Sequence, residues 1–157
     1  MAELEALYRQ RFQSFVRVAT VINGDREAAR DAVQSAFVSA VRSRTSFRGD
    51  GSLEAWLWQI VVNEARRAHR TGDLVSLDQL VEQAAASNGD VDMHGSAIRR
   101  FIAGLPQRQR EAVFLRYFAD LDYRTIARVL GLEPGTVSAT LSVAHQTLRK
   151  RMEATRR

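Results

Sequence analysis

The sequence predicts an all-α fold of two small helical domains joined by a flexible acidic linker. Apolar residues recur at three- and four-residue steps through both ends of the chain, which is the period of helices with one buried face. Charge divides the chain as well: residues 1–70 carry 11 basic and 8 acidic side chains, residues 71–95 carry 0 and 5, and residues 96–157 carry 12 and 5. Glycine, serine and asparagine recur in the middle segment, as is typical of a linker. The predicted boundaries are therefore 1–70, 71–95 and 96–157.

The acidic linker has two interpretations. Its carboxylates either keep the chain soluble between two basic domains, or they compete for a basic nucleic-acid channel as phosphate mimics. Composition alone does not choose between these hypotheses.

Composition narrows the class of function. The formal net charge is +5, and basic domains indicate a polyanionic partner. Cysteine is absent, which excludes disulfides and thiolate chemistry. The histidines are scattered, and neither a glycine-rich phosphate loop nor a serine nucleophile elbow is present, so no catalytic residue, metal ligand or cofactor is predicted and the chain is not expected to be an enzyme. No apolar run has membrane-spanning length, so we expect a cytoplasmic protein without a membrane segment.

The first two predicted helices form an amphipathic pair. The first runs from Glu3 to Ile22, and Asp25 caps the second after a turn at Gly24. Periodicity alone favours a solvated outer face on the second helix, although a mixed face can also dock a partner helix. That face carries Asp31, Gln34, Ser35, Val38 and Arg42.

The third segment, Ser46 to Arg70, begins with a glycine hinge and continues as a helix capped by Ser52. Trp56 and Trp58 are expected at the edges of the buried stripe, where an indole is half packed and half available for stacking. Glu64 is a charged residue near the middle of the apolar stripe. Its position is unfavourable unless it pairs with an arginine or that part of the helix is exposed to solvent. The predicted stripe is Leu53, Trp56, Leu57, Ile60, Val61, Ala65 and Ala68, and the predicted polar face is Gln59, Asn63, Arg66 and Arg70.

The last block predicts a helix-turn-helix unit. A helix from Gln107 to Phe118 follows Pro106, a short helix ends at Gly131, and a longer helix begins near Glu133. A plain three-helix bundle is the alternative interpretation.

Three motifs in this order resemble the extracytoplasmic function group of bacterial RNA polymerase sigma factors: GDREAARDAVQSAF, SFRGDGSLEAWLWQIVVNEARR and LPQRQREAVFLRYFADLDYRTIARVLGLEPGTV. The resemblance covers nearly all of the chain. It implies that residues 1–70 are sigma region two, which binds the polymerase clamp and the minus-ten element. Residues 96–157 would be region four, which binds the minus-thirty-five element, and the linker would occupy a basic channel of the polymerase until RNA displaces it.

The resemblance also implies residue roles, and it reverses the preference for a solvated face on the second helix. Ser35 departs from the family, which usually has an acid there. The last helix departs more, because it offers few cations on its exposed side. Polymerase contacts are expected at Asp31, Gln34, Ser35 and Val38; minus-ten contacts at Phe47, Trp56, Gln59, Ile60, Asn63, Arg66, Arg67 and Arg70; and minus-thirty-five contacts at Arg124, Thr136, Ser138, Ala139, Ser142, Val143, Gln146 and Arg149.

The expected function is that of a sigma factor that binds core RNA polymerase through the beta-prime clamp and the beta flap. It would direct promoter recognition, promoter melting and transcription initiation, and an anti-sigma factor is expected as a further partner. One alternative is a sigma-like regulator that docks on polymerase or another protein without recognising promoters. A free-standing helix-turn-helix repressor is the other, although it leaves the pattern of Ser46 to Arg70 unexplained.

Overall fold

A computed structural model describes residues 1–49, 51–71, 100–102 and 104–157. The predicted linker, apart from Thr71, lies outside the described residues. Throughout the described ranges all regular secondary structure is helical, which confirms the predicted fold class. The elements are α1 (Ala2–Asn23), α2 (Arg26–Arg42), a 3-10 turn (Arg44–Ser46), α3 (Leu53–Thr71), α4 (Gln107–Tyr117), α5 (Tyr123–Leu130) and α6 (Pro134–Arg156).

The helix boundaries follow from local capping. The Asp25 carboxylate accepts a hydrogen bond from the Ala28 N–H at 3.1 Å, and the Ser52 hydroxyl accepts one from the Ala55 N–H at 3.0 Å. Gly24 ends α1 with φ of 84°, a left-handed conformation that glycine adopts without a Cβ penalty. The predicted caps at Asp25 and Ser52 are therefore confirmed.

The first three helices pack as a bundle around aromatic and aliphatic side chains. Phe15 of α1 meets the Trp58 indole edge-on, with ring centroids 4.5 Å apart, and both side chains are fully buried. The expected position of Trp58 at the edge of the stripe was therefore wrong. The reason is that α3 packs against α5 as well as α1 and α2, so its buried surface is wider than one stripe. Its buried residues are Ala55, Leu57, Trp58, Val61, Val62 and Ala65.

The last three helices contain the predicted helix-turn-helix, formed by α5 and α6. Gly131 ends α5 with φ of 69°, and the Leu132 N–H donates to the Ala127 carbonyl at 2.8 Å, which closes the turn. Glu133 occupies the N-cap position of α6 without a side-chain capping bond, as its residue type predicts. Pro106 lies at the N-cap of α4 rather than inside its first turn, a shift of one residue.

The two groups of helices also pack on each other. α1 contacts α4, and α3 contacts α5. The buried apolar side chains of both groups form one continuous cluster, and the Arg66 guanidinium of α3 pairs with the Glu111 carboxylate of α4 at 3.0 Å. The exposed faces of α2, α3 and α6 are therefore presented by one packed assembly.

Candidate nucleic-acid and protein interfaces

The outer face of α2 forms one wall of an open groove with a volume of about 560 Å³. All four predicted polymerase-contact residues line it, and all four are exposed. The Val38 side chain in this groove is 51% exposed. The groove is lined by Asp31, Gln34, Ser35, Val38, Ser39, Arg42, Glu64 and Arg67.

Glu64 of α3 lies in this groove, which explains a carboxylate that fits its helix poorly. The Arg67 Nη1 donates to the Glu64 Oε1 at 3.2 Å, and the two side chains are 75% and 16% exposed, respectively. An arginine therefore reaches Glu64, and the groove keeps the pair in contact with water. Arg67, expected beside promoter DNA, is placed by the fold in the same groove as Asp31 and Gln34.

Phe47 belongs to a small aromatic cluster just before α3. Its ring centroid lies 5.5 Å from that of Trp56 at an interplanar angle of 45°, and both side chains are half-buried. The Arg44 guanidinium carbon lies 5.6 Å from the Phe47 ring centroid, within cation–π range. Arg44 is absent from the residues predicted above, although an arginine three residues before an aromatic residue, across a short turn, is a signal in the sequence. The cluster offers a ring face flanked by a cation, which suits a nucleobase next to a phosphate.

The polar face of α3 has some side chains exposed to solvent and one that is held in an ion pair. Gln59 and Asn63 are exposed one helical turn apart, and Ile60 beside them is half-buried. Arg66 is engaged instead, since its Nη2 donates to the Glu111 Oε2 and its side chain is only 30% exposed. Of the minus-ten set, the structure brings Phe47 and Trp56 together; the Arg70 side chain lies outside the described residues.

Glu111 is a second residue that is absent from the predicted site residues. It is one of two polar residues that are buried within the described ranges, the other being Asn23. Its carboxylate also accepts a hydrogen bond from the Gln107 amide at 3.2 Å. A buried carboxylate calls for such partners because desolvation of the charge is costly. No local pattern predicts this role, since Arg66 is 45 residues distant in sequence.

The first part of α6, from Thr136 to Gln146, presents a surface without lysine or arginine to solvent. All of the predicted contacts on this helix are exposed, and the Val143 side chain is 48% exposed. Arg124 of α5 is exposed too. The predicted set on α6 is Thr136, Ser138, Ala139, Ser142, Val143, Gln146 and Arg149.

A side-chain contact also joins α4 to α6. The Tyr117 hydroxyl and the His145 Nε2 are 2.7 Å apart, so the two side chains share a hydrogen bond.

Asp122 fixes the start of α5, where hydrogen bonds from the Thr125 backbone N–H and side chain hold the pKa of its carboxyl below the ordinary value. Burial lowers the pKa of the Arg110 guanidinium of α4, with a smaller opposing effect from Glu111.

Among the described residues, no three histidine, cysteine, aspartate or glutamate side chains cluster closely enough to hold a metal ion. Within the same part of the chain, no helix is both long and apolar enough to span a bilayer.

Comparison with known families matches both halves of the chain. Residues 7–74 match the family described as sigma-70 region 2, and residues 96–148 match the family described as sigma-70, region 4. The order of the two matches agrees with the three-helix bundle followed by the helix-turn-helix. The fold and these matches define the chain as a protein of the sigma-70 class.

Individual relatives narrow that class. The chain is 30% identical over 150 residues to the ECF RNA polymerase sigma factor SigM of Mycobacterium tuberculosis, covering 92% of this chain and 74% of the relative. It is 26% identical to the RNA polymerase sigma factor YlaC of Bacillus subtilis, covering 98% and 94% of the two chains. The fold is similar to that of the sigma factor RpoE in complex with the anti-sigma factor NepR from Bartonella quintana, with a TM-score of 0.74, 20% identity and 98% of each chain covered.

The chain belongs to the extracytoplasmic function sigma factors of RNA polymerase. Members of this family are transcription initiation factors, and the chain directs promoter-specific initiation on RNA polymerase. The resemblance drawn from the three sequence motifs is thereby confirmed.

Proposed function

We propose that the chain binds core RNA polymerase through the α2 groove and holds an opened minus-ten strand on α3. Residues 1–70 and 96–157 act as regions two and four, joined by the acidic linker. The observation that carries the proposal is the groove itself, because it gathers Asp31, Gln34, Ser35 and Val38 on one exposed surface. A mixed polar surface around one exposed aliphatic side chain is typical of a protein-docking site.

The minus-ten step rests on Phe47, Ile60 and Asn63. A base flipped out of the duplex exposes its ring faces and its edge, so an aromatic ring can stack on it while an amide binds the edge. Extrusion of the base costs a few kcal/mol, and these contacts must recover that free energy. The exposure of Asn63 and the half-burial of Phe47 and Ile60 support this assignment.

Region four contributes duplex recognition through α6. Hydroxyl and small apolar side chains leave its readout to thymine methyl groups, a contact between Gln146 and adenine, and DNA shape. Phosphate contacts come from cations at the edges, among them Arg124 and Arg149, which are both exposed. The beta flap of polymerase is the expected protein contact of this half.

The chain supplies specificity and no catalysis of its own, and it works without a cofactor. We place it in the cytoplasm with its polymerase. An anti-sigma factor is the proposed regulatory partner, supported by the solved relative RpoE, whose structure is a complex with the anti-sigma factor NepR.

Run-off transcription tests the proposal. Purified chain and core polymerase are first used to select transcribed promoters from random DNA. On a selected promoter, Asn63→Ala should lower the equilibrium constant for strand opening, read by permanganate footprinting, by about 5- to 150-fold, since one lost contact to a base edge is worth about 1–3 kcal/mol. Affinity for core polymerase should remain unchanged.

Gln13→Ala on α1 is the matched control, because Gln13 is also an exposed amide outside the proposed interfaces. Equal losses of opening and of polymerase affinity in Asn63→Ala would contradict the pocket assignment. No transcript from any promoter in the selection would contradict the function as a whole.

The lack of lysine and arginine from Thr136 to Gln146 of α6 and the departure at Ser35 favour a second candidate function. In this alternative the chain docks on polymerase or another protein without reading promoters. The same selection separates the two functions, because stable polymerase binding without any enriched DNA sequence would support the alternative.

A further inference from the structure

The 3-10 turn between α2 and α3 places a cation beside the proposed base pocket. Side chains three residues apart lie on the same face of such a turn, so Arg44 and Phe47 are neighbours. The Ser46 N–H and hydroxyl both donate to the Ser43 carbonyl, at 2.8 and 2.6 Å respectively, and these bonds fix the turn. The Arg44 guanidinium carbon lies 5.6 Å from the Phe47 ring centroid. The turn therefore presents an aromatic ring and a cation together.

The Arg44 guanidinium has only a distant anionic partner within the described ranges. Its Nη2 lies 3.9 Å from the Glu3 Oε2, which is beyond hydrogen-bonding distance. The Glu3 side chain is 81% exposed, whereas that of Arg44 is 32% exposed. The Arg44 Nε is buried and has no hydrogen-bond partner in the same part of the chain. Because an exposed pair at this distance contributes little, Arg44 exchanges Glu3 for another anion at low cost.

The two arginines of α3 that were expected near the promoter backbone are bonded more closely. The Arg66 Nη2 lies 3.0 Å from the Glu111 Oε2, and the Arg67 Nη1 lies 3.2 Å from the Glu64 Oε1. A phosphate at either arginine has to replace a hydrogen-bonded carboxylate. At Arg44 it replaces only a distant one. Arg44 is therefore better suited than these two arginines to take a phosphate.

We propose that Arg44 binds a backbone phosphate of the opened strand, next to the base that stacks on Phe47. The proposal rests on the assignment of Phe47 to the minus-ten strand, and it adds a phosphate subsite to that pocket. In single-strand binding sites, aromatic rings hold bases while neighbouring cations hold the backbone. A guanidinium forms charge-assisted hydrogen bonds to phosphate oxygens, so the phosphate displaces Glu3 from Arg44.

A scan with neutral phosphate analogues tests the subsite. The probe is a fluorescent single-stranded oligonucleotide with the non-template sequence of a selected promoter, titrated with holoenzyme formed from the full chain and core polymerase. Methylphosphonate replaces one phosphate at a time. At one of the two linkages that flank the flipped base, the wild type should lose affinity by about tenfold, since a hydrogen bond to a charged group is lost. Arg44→Ala should show no loss at that linkage, because the guanidinium that contacts it is absent.

Arg9→Ala is the matched control, because Arg9 of α1 is an exposed arginine that also pairs with a carboxylate, that of Glu5 at 2.7 Å. It removes the same charge and should keep the wild-type response at every linkage. A salt series gives a second measurement. The slope of log K against log salt concentration should become shallower by about 0.7 in Arg44→Ala and stay unchanged in Arg9→Ala. Arg44→Lys retains the charge and should restore most of the slope.

Two results would overturn the proposal. In the first, Arg44→Ala keeps the wild-type loss at both flanking linkages, so that Arg44 only supports the Phe47 ring. In the second, the wild type is insensitive at both linkages. If circular dichroism shows that Arg44→Ala is unfolded, Arg44→Gln replaces it, because an amide keeps a polar side chain without the charge. A selection that yields no promoter contradicts the proposed function and this subsite with it, whereas either result above leaves the proposed function standing.

Discussion

Asp122 shows how one capping residue supports the DNA-binding half of the molecule. Its carboxylate accepts a hydrogen bond from the Thr125 N–H at 2.8 Å, which satisfies an N–H that α5 cannot bond internally. We expect Asp122→Ala to lower the free energy of unfolding by about 1 kcal/mol at neutral pH, measured by urea denaturation. The matched control is Glu133→Ala, which should have little effect because that cap makes no side-chain bond.

The pH dependence of this cap has a definite sign. The pKa of Asp122 is lower in the folded state, so its contribution is present above the unfolded-state pKa and is lost as pH falls through the folded-state pKa. The difference between the wild type and Asp122→Ala should therefore shrink on acidification. Because the carboxylate is largely exposed, the effect is moderated by solvent screening. A difference that grows in acid would contradict the capping role.

At the residue scale, local signals were predictable and long-range partners were not. Asp25 and Ser52 act as predicted because a cap depends on neighbours within three residues. The Arg66–Glu111 pair depends on how two distant helices dock, and no periodicity encodes that. Glu64 lies between these cases. The sequence alone shows a carboxylate in an apolar stripe, but the solvent-accessible groove around it is formed only by the packing of α2 against α3.

At the scale of elements, α6 has the position of a recognition helix but few of the cations that such a helix usually carries. It follows α5 as the second helix of the unit, yet its exposed face from Thr136 to Gln146 carries no cation. Duplex affinity that comes from few phosphate contacts depends weakly on salt. We therefore propose that specificity in this protein rests heavily on the α3 segment.

Ser142→Arg tests the charge balance of α6. In the holoenzyme on a selected promoter, the slope of log K against log salt concentration should steepen by about 0.9 if the new guanidinium gains one phosphate contact. Filter binding over a salt series provides the measurement. Thr155→Arg is the control, because Thr155 is exposed on the same helix nearer its C-terminus. Equal slopes in the two variants would place Ser142 away from the duplex.

Helix packing also explains which element-level predictions failed. α2 and α6 each bury a single apolar stripe, which is Ala29, Ala32, Val33, Ala36 and Ala40 in α2 and Val137, Leu141 and Ala144 in α6. α3 has neighbours on more than one side, so Trp58 and Val62 became core residues although the predicted stripe omits them. Periodicity detects a single buried face, and it places the boundary poorly when a helix lies between two groups of helices.

At the scale of the whole molecule, the continuous apolar core predicts that the two halves unfold together. Both tryptophans lie in α3, so their fluorescence reports the first half alone, whereas far-ultraviolet circular dichroism reports all the helices. In the isolated wild-type chain the two thermal unfolding curves should coincide, since coincident transitions are the signature of one cooperative unit.

Glu111→Gln should uncouple the two halves, because the charged partner of Arg66 in α4 is lost. The circular dichroism transition is then expected to begin at a lower temperature than the fluorescence transition, since α4 to α6 no longer gain stability from α3. Glu133→Gln should keep the two curves together. Separate curves already in the wild type would mean that contacts of α1 with α4 and of α3 with α5 add little stability. If the packed apolar core alone couples the two halves, the two curves of Glu111→Gln will still coincide. The ion pair would then form when the halves dock without contributing to their coupling.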